Sequence, residues 1–166
     1  MSEHPLLRAD LILRTLIDAD VRFVLIGGLA SQVHGSPSLT GHVDICFALD
    51  GENLSRLAVA LETLSAIRRE LPPGISAPLD ARALRAGDVF SLTTRYGDLD
   101  LLAHPDPGLV FENLAERSIA AEVLGVEVRV ASLGDLMAMK RAAGRPKDRV
   151  ELEILGALRE EIDRLA

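Results

Sequence analysis

The β-prone run from Val21 to Ile26 stops at Gly27-Gly28. A continuous run of this kind reads as a buried strand, and the glycine pair as a tight turn directly after it. A second strand is expected over Val43 to Leu49, ended by Asp50-Gly51. Such strands need other strands beside them and helices over their faces, so the elements around them decide the fold.

Helical spacing of Leu6, Leu7, Leu11, Leu13, Leu16 and Ile17 predicts an amphipathic helix over Pro5 to Ala19. Leu29 to His34 predicts a short helix closed by Gly35. Asn53 to Ile67 predicts a longer one, with Leu54, Leu57, Leu61 and Leu64 on its apolar side. Three prolines and a glycine make Leu71 to Pro78 a loop or short edge strand. Val89 to Thr94 and Leu99 to Ala103 read as strands with Gly97-Asp98 turning between them. Val110 to Ala115 suits a short helix, and Ala120 to Leu124 with Val126 to Val130 a hairpin around Gly125. Ser132 can cap a helix that runs to Ala143, where Gly144 stops it and Pro146 starts a last helix to Leu165. The mixture predicts an α/β (α+β) fold, a mixed sheet flanked by helices with a helical C-terminal part over about 132–166. No repeat or long linker divides the 166 residues, so one domain is expected over 1–166.

Composition removes several function classes. Apolar residues make up 48% of the chain, enough for a real core. Net charge is −7, which leaves no global field for broad DNA binding. Aromatics are 3% and Trp is absent, so no base-stacking platform is expected. The single cysteine, Cys46, excludes an internal disulfide framework and suits a cytoplasmic protein; on its strand it reads as a small core residue. Met1 to Asp10 lacks a signal-peptide pattern, and no apolar run reaches membrane-spanning length, so no membrane partner is expected.

The chemistry is expected between Gly27 and Asp44. Glycines let backbone N–H groups approach a triphosphate closely where a helix begins. Residues two apart on a strand share a face, so His42 and Asp44 point the same way. Asp44 and Asp100 sit within apolar strands, where a carboxylate is costly without a purpose or a partner. Asp98 reads as a turn residue. Lys140, Arg141, Arg145, Lys147 and Arg149 form a basic cluster, which reads either as a solvated helix face or as the counter-charge of a triphosphate. His34 and His104 read as structural or surface residues, since the histidines lack paired spacing.

Gly27-Gly28, a gap of thirteen residues, and then His42-x-Asp44 resembles the pattern of polymerase-β superfamily nucleotidyltransferases. There, Gly-Gly or Gly-Ser precedes Asp-x-Asp on a strand. Leu29-Ala30-Ser31, His34-Gly35-Ser36-Pro37 and Thr40 are similar to the intervening loop. Tyr96 to Leu102 resembles the strand with the third carboxylate, here Asp100. Ala131-Ser132-Leu133 through Asp148 is similar to the C-terminal signature of the AbiEii-like branch, which includes toxins of toxin–antitoxin systems.

The resemblance implies a nucleotidyltransferase that moves NMP from an NTP to an acceptor hydroxyl with Mg²⁺ or Mn²⁺. It implies metal ligation by His42, Asp44 and Asp100, and nucleotide contacts from Gly27, Gly28, Ser36, Thr40, Lys140 and Lys147. Lys140 and Lys147 would offset charge in the transition state. Asp148 would orient Lys147 or act as a base. RNA such as the tRNA 3′ end is the expected acceptor, with an antitoxin protein as partner if the chain is a toxin. An aminoglycoside-type small molecule is an alternative acceptor.

His42 departs from that pattern, which carries Asp at the first position. Imidazole is a poor bridge between metals and a poor match for Mg²⁺. Three readings follow: altered activity with Mn²⁺ or Zn²⁺, a degenerate module that binds nucleotide or a partner protein without turnover, or a recent or engineered change.

Overall fold

The run that ends at Gly27 forms β1 (Phe23–Ile26), whose four residues are all buried. The computed structural model describes residues 5–166; the sequence expectation for Met1 to His4 lies outside them. Before β1 comes α1 (Ala9–Asp18); after it come α2 (Gly27–Val33), β2 (His42–Phe47), α3 (Gly51–Thr63), β3 (Ile67–Arg68) and α4 (Ala81–Ala86). The chain continues through β4 (Val89–Thr94), β5 (Gly97–Leu102), α5 (Phe111–Arg117), β6 (Ile119–Val123), β7 (Val126–Val130), α6 (Leu133–Ala143) and α7 (Pro146–Leu165).

The strands form one sheet in the order β3-β4-β5-β2-β1-β7-β6. β1 lies antiparallel to β2 and parallel to β7, and β2 lies parallel to β5. The outer pairs are antiparallel, so the sheet is mixed, as expected. Helix α1 packs on β7, β2 and α3 with Ile12, Leu13 and Leu16 fully buried. Each such side chain contributes about 1.5–3 kcal/mol by leaving water. Among the described residues no helix is long and apolar enough to cross a membrane.

Asn53 joins the centre of the sheet to α3. Fully buried, it accepts from Arg22 N–H at 2.6 Å and donates to Arg22 O at 3.0 Å and Ala48 O at 2.9 Å. It therefore ties the entry of β1 to the exit of β2. Asp50 caps the same helix by accepting from Asn53 N–H.

Several boundaries differ from the sequence expectation. α1 starts at Ala9, because Arg8 N–H is donated to Tyr96 O at 2.8 Å instead of following a helical course. α3 ends at Thr63, since Ser65 takes φ +52 and Ala66 N–H closes back on Leu61 O. Ile67, expected in that helix, instead pairs with Thr93 as edge strand β3. The β4–β5 turn is Arg95-Tyr96, not Gly97-Asp98: Thr94 pairs with Gly97, which places Asp98 inside β5. α4 was not anticipated; Asp80 caps it by accepting from Ala83 N–H at 2.8 Å. Ser132 caps α6, as expected, by accepting from Asp135 N–H at 3.1 Å.

Candidate active site

The register of three strands assembles the acids. Ile26 lies opposite Asp44 across β1 and β2, so the strand ends where the carboxylate stands. Asp44 lies beside Asp100, and His42 beside Asp98, across the parallel pair β2 and β5. The period of two sends Val43 and Ile45 into the core and His42 and Asp44 to the opposite face. In β5, Leu99 and Leu101 are buried, and Asp98 and Asp100 share the polar face.

Gly27 takes φ +70, and a Cβ built there would lie 2.1 Å from Asp44 Oδ2. Only glycine brings the backbone this close to the carboxylate. At Gly28 a Cβ would lie 2.7 Å from Thr40 Cβ, so the entry of α2 fits between Asp44 and the loop before β2. Thr40 in turn donates its hydroxyl to His42 O at 3.1 Å.

His42 Nε2 lies 3.1 Å from Asp44 Oδ2 and 3.8 Å from Asp100 Oδ2. The hydrogen bond to Asp44 raises the His42 pKa, against the opposing effect of burial. Burial raises that of Asp100, with the Asp44 charge adding and the Arg69 hydrogen bond opposing. The ligand atoms of His42, Asp44 and Asp100 all lie within 4.8 Å of one another. Two carboxylates and an imidazole suit a divalent cation, and the nitrogen donor favours Mn²⁺ or Zn²⁺ over Mg²⁺.

These residues line a cleft of about 880 Å³ that also takes in Gly27, Gly28, Thr40, Lys140, Lys147 and Asp148. The three acid-cluster residues, the glycine pair and both lysines expected to act together thus meet in one cavity. A second hollow of about 550 Å³, lined by Val59, Ile67 and Leu79 among others, lies apart from these acids.

Asp148 is fully buried at the start of α7. It accepts from Arg145 Nε at 2.7 Å and from the Arg145 backbone N–H at 3.1 Å, and lies 3.4 Å from Lys140 Nζ. The Arg145 guanidinium holds its carboxyl below the ordinary carboxylate range. The expected partnership of Asp148 with Lys147 is thus replaced by one with Arg145 and Lys140. The cause is the helix cap: the third residue of α7 turns back to its first turn. Lys147 lines the cleft exposed, with no ion pair among the described residues.

Ser36 does not line the cleft. Its hydroxyl donates to Glu151 Oε1 at 3.0 Å, and Ser38 donates to Glu151 Oε2 at 2.7 Å. Together they fasten the α2–β2 loop to α7. Glu151 was not singled out in the sequence, nor was Arg69, which donates to Asp100 Oδ1 at 2.6 Å. Arg69 sits in the charged run Arg68-Arg69-Glu70, which carries no motif. Asp98, read as a turn residue, lies within β5, where its carboxylate accepts from the Thr93 hydroxyl at 3.1 Å and lies 3.5 Å from Arg69 Nη1. His34 bonds to Ala131 O and His104 to Asp88, in structural positions. Cys46 is buried, and burial pushes its thiol up to about 12.

Solved nucleotidyltransferase structures share this fold, a mixed sheet flanked by helices. The lincosamide antibiotic adenylyltransferase LnuA, solved with lincomycin bound, aligns with a TM-score of 0.60 at 16% identity, over 93% of this chain and 99% of that one. An antigenic nucleotidyltransferase-like protein from Paracoccidioides brasiliensis gives 0.58 at 16% identity, over 93% and 77%. ANT(2'')-Ia, in complex with adenylyl-2''-tobramycin, gives 0.54 at 17% identity, over 93% and 95%. At these identities the likeness is one of fold. No family model and no curated protein sequence matches the chain.

Proposed function

We propose that the chain is a metal-dependent nucleotidyltransferase that moves NMP from an NTP to an acceptor hydroxyl. One observation carries the reading: His42, Asp44 and Asp100 converge within 4.8 Å beside the Gly27 backbone, in a cleft that Lys140 and Lys147 also line. His42, Asp44 and Asp100 would hold the divalent cation. When bound, it supplies Lewis-acid polarisation of the phosphoryl oxygens.

In the proposed reaction the acceptor oxygen forms a bond to the α-phosphorus, the bond from that phosphorus to its bridging oxygen breaks, and pyrophosphate leaves. The hydroxyl proton leaves to solvent through the open cleft, and Asp100 keeps its role as a ligand of the cation. Lys147 is free to approach the triphosphate, and Lys140 is steadied by Asp148. Both offset charge as it develops. Gly27 and Gly28 line the cleft, where their backbone would face the phosphates. Thr40 shapes that end of the cleft.

RNA, such as the tRNA 3′ end, is the acceptor that the AbiEii-like segments support, and with it a toxin role and an antitoxin partner. A small-molecule acceptor is supported by the neighbours solved with lincomycin and with an adenylylated tobramycin. A binding module without turnover is favoured by a different observation. Asp44 is already bonded to His42, and Asp100 to Arg69.

Melting temperature and pyrophosphate release together separate the enzyme from the module. An NTP with Mn²⁺ is expected to raise it in the unaltered protein and not in Asp44→Asn. Pyrophosphate release on adding an acceptor then marks the enzyme, whereas the shift without release marks the module. No shift with any NTP and metal would contradict both.

A further inference from the structure

Arg69 makes the shortest contact to the acid cluster, and its pose is fixed by several anchors. Its backbone N–H donates to Ser91 O at 2.8 Å, just after β3. Ser91 pairs with Asp100 across β4 and β5, so the Arg69 side chain crosses β4 toward β5. There Nη1 donates to Leu92 O at 2.6 Å and lies 3.5 Å from Asp98 Oδ2. Nη2 donates to Asp100 Oδ1 at 2.6 Å. A planar guanidinium gripped by one carbonyl and two carboxylates has little freedom to leave.

Asp100 is therefore approached on both of its oxygens. Oδ1 is engaged by Arg69, while Oδ2 faces His42 at 3.8 Å. A divalent cation held by His42, Asp44 and Asp100 must share that carboxylate with a group that stays charged at every accessible pH. Two positive centres on one carboxylate repel, and a guanidinium-bound oxygen is a weaker ligand. The cost falls on free metal. A triphosphate that arrives with its own metal brings negative charge to offset it.

We propose that Arg69 is a resident counter-cation of this site, competing with the divalent cation for Asp100 so that free metal is held weakly. It is a positioning residue, since it acts through Asp100. The inference rests on reading His42, Asp44 and Asp100 as the cation site, and it needs no turnover to be tested.

The test is a titration with Mn²⁺ alone, following free Mn²⁺ by electron paramagnetic resonance. Arg69→Gln and Arg69→Met remove the charge, Arg69→Lys keeps it, and Asp44→Asn removes a ligand. Circular dichroism checks the fold of each, and the two neutral variants cover for one another. The neutral variants are expected to bind Mn²⁺ about tenfold more tightly than the unaltered protein, which is about 1.4 kcal/mol. Arg69→Lys should stay close to the unaltered affinity. Equal or weaker binding in folded neutral variants would overturn the role of Arg69 and leave the cation site standing. Saturable binding in none of the proteins, or binding unchanged by Asp44→Asn, would overturn the cation site and this role with it.

Discussion

Gly27 carries the tightest steric demand in the cleft. An added Cβ would meet the Asp44 carboxylate at 2.1 Å, and its φ of +70 lies where other residues are strained. Gly27→Ala is therefore expected to cost about 1–3 kcal/mol in urea denaturation and to weaken Mn²⁺ binding by displacing Asp44. Unchanged stability and metal affinity would contradict the packing of the start of α2 on Asp44. Asp148 gives a pH-dependent counterpart. Its folded pKa is depressed, so its contribution is full above the unfolded carboxylate value and is lost as pH falls through the folded one. Asp148→Asn should cost about 1.5–3 kcal/mol near neutral pH, with the difference shrinking below about pH 4. A difference that does not change with pH would mean that the charge is not the source. At this scale the sequence was informative where a residue type breaks a pattern: Gly27 after an apolar strand, and Asp44 and Asp100 within apolar strands. It was silent on Arg69 and Glu151, because charged residues in polar runs carry no periodicity. Their roles arise only when β3 and α7 fold back on the cleft.

α7 forms one wall of the cleft. Of its apolar residues only Leu155 is fully buried, yet the helix supplies Lys147, Asp148 and Glu151 to the cleft wall. Leu155→Ala should cost about 2–5 kcal/mol and weaken NTP binding, although Gly27, Asp44 and Asp100 are untouched. Stability and NTP affinity equal to those of the unaltered protein would show that α7 is held by something other than this contact. Elements bounded by strong local chemistry were legible. β4 has the expected limits, and the Ser132 cap, Gly144 stop and Pro146 start frame α6 and α7 as read. Errors fell at element ends, where the conformation of a single residue or the strand register decides the outcome. Ser65 ends α3 early with a positive φ, and Arg95-Tyr96 turns a hairpin where Gly-Asp was the stronger local signal.

Across the whole molecule, the sheet order is what converts a string of weak motifs into a site. β5 pairs with β2 although four elements separate them in the chain, and only that pairing sets Asp100 beside Asp44. The mixed α/β class was readable from alternating elements; the strand order was not, since pairing over such distances leaves no local trace. At this scale the net charge of −7 also bears on the acceptor. RNA would have to dock on the local basic surface of α6 and α7, so its transfer should fall steeply with salt, whereas that of a neutral small acceptor should not. The central claim is NMP transfer, and α-labelled nucleotide tests it most directly. Each of the four α-labelled NTPs would be incubated with Mn²⁺ or Mg²⁺ and with tRNA or a set of hydroxyl-bearing antibiotics, using the unaltered protein beside His42→Asp and Asp44→Asn. The account predicts label on an acceptor from the unaltered protein or, where His42 disables the metal site, from His42→Asp, and none from Asp44→Asn. Label on no acceptor from either of the first two proteins would contradict it.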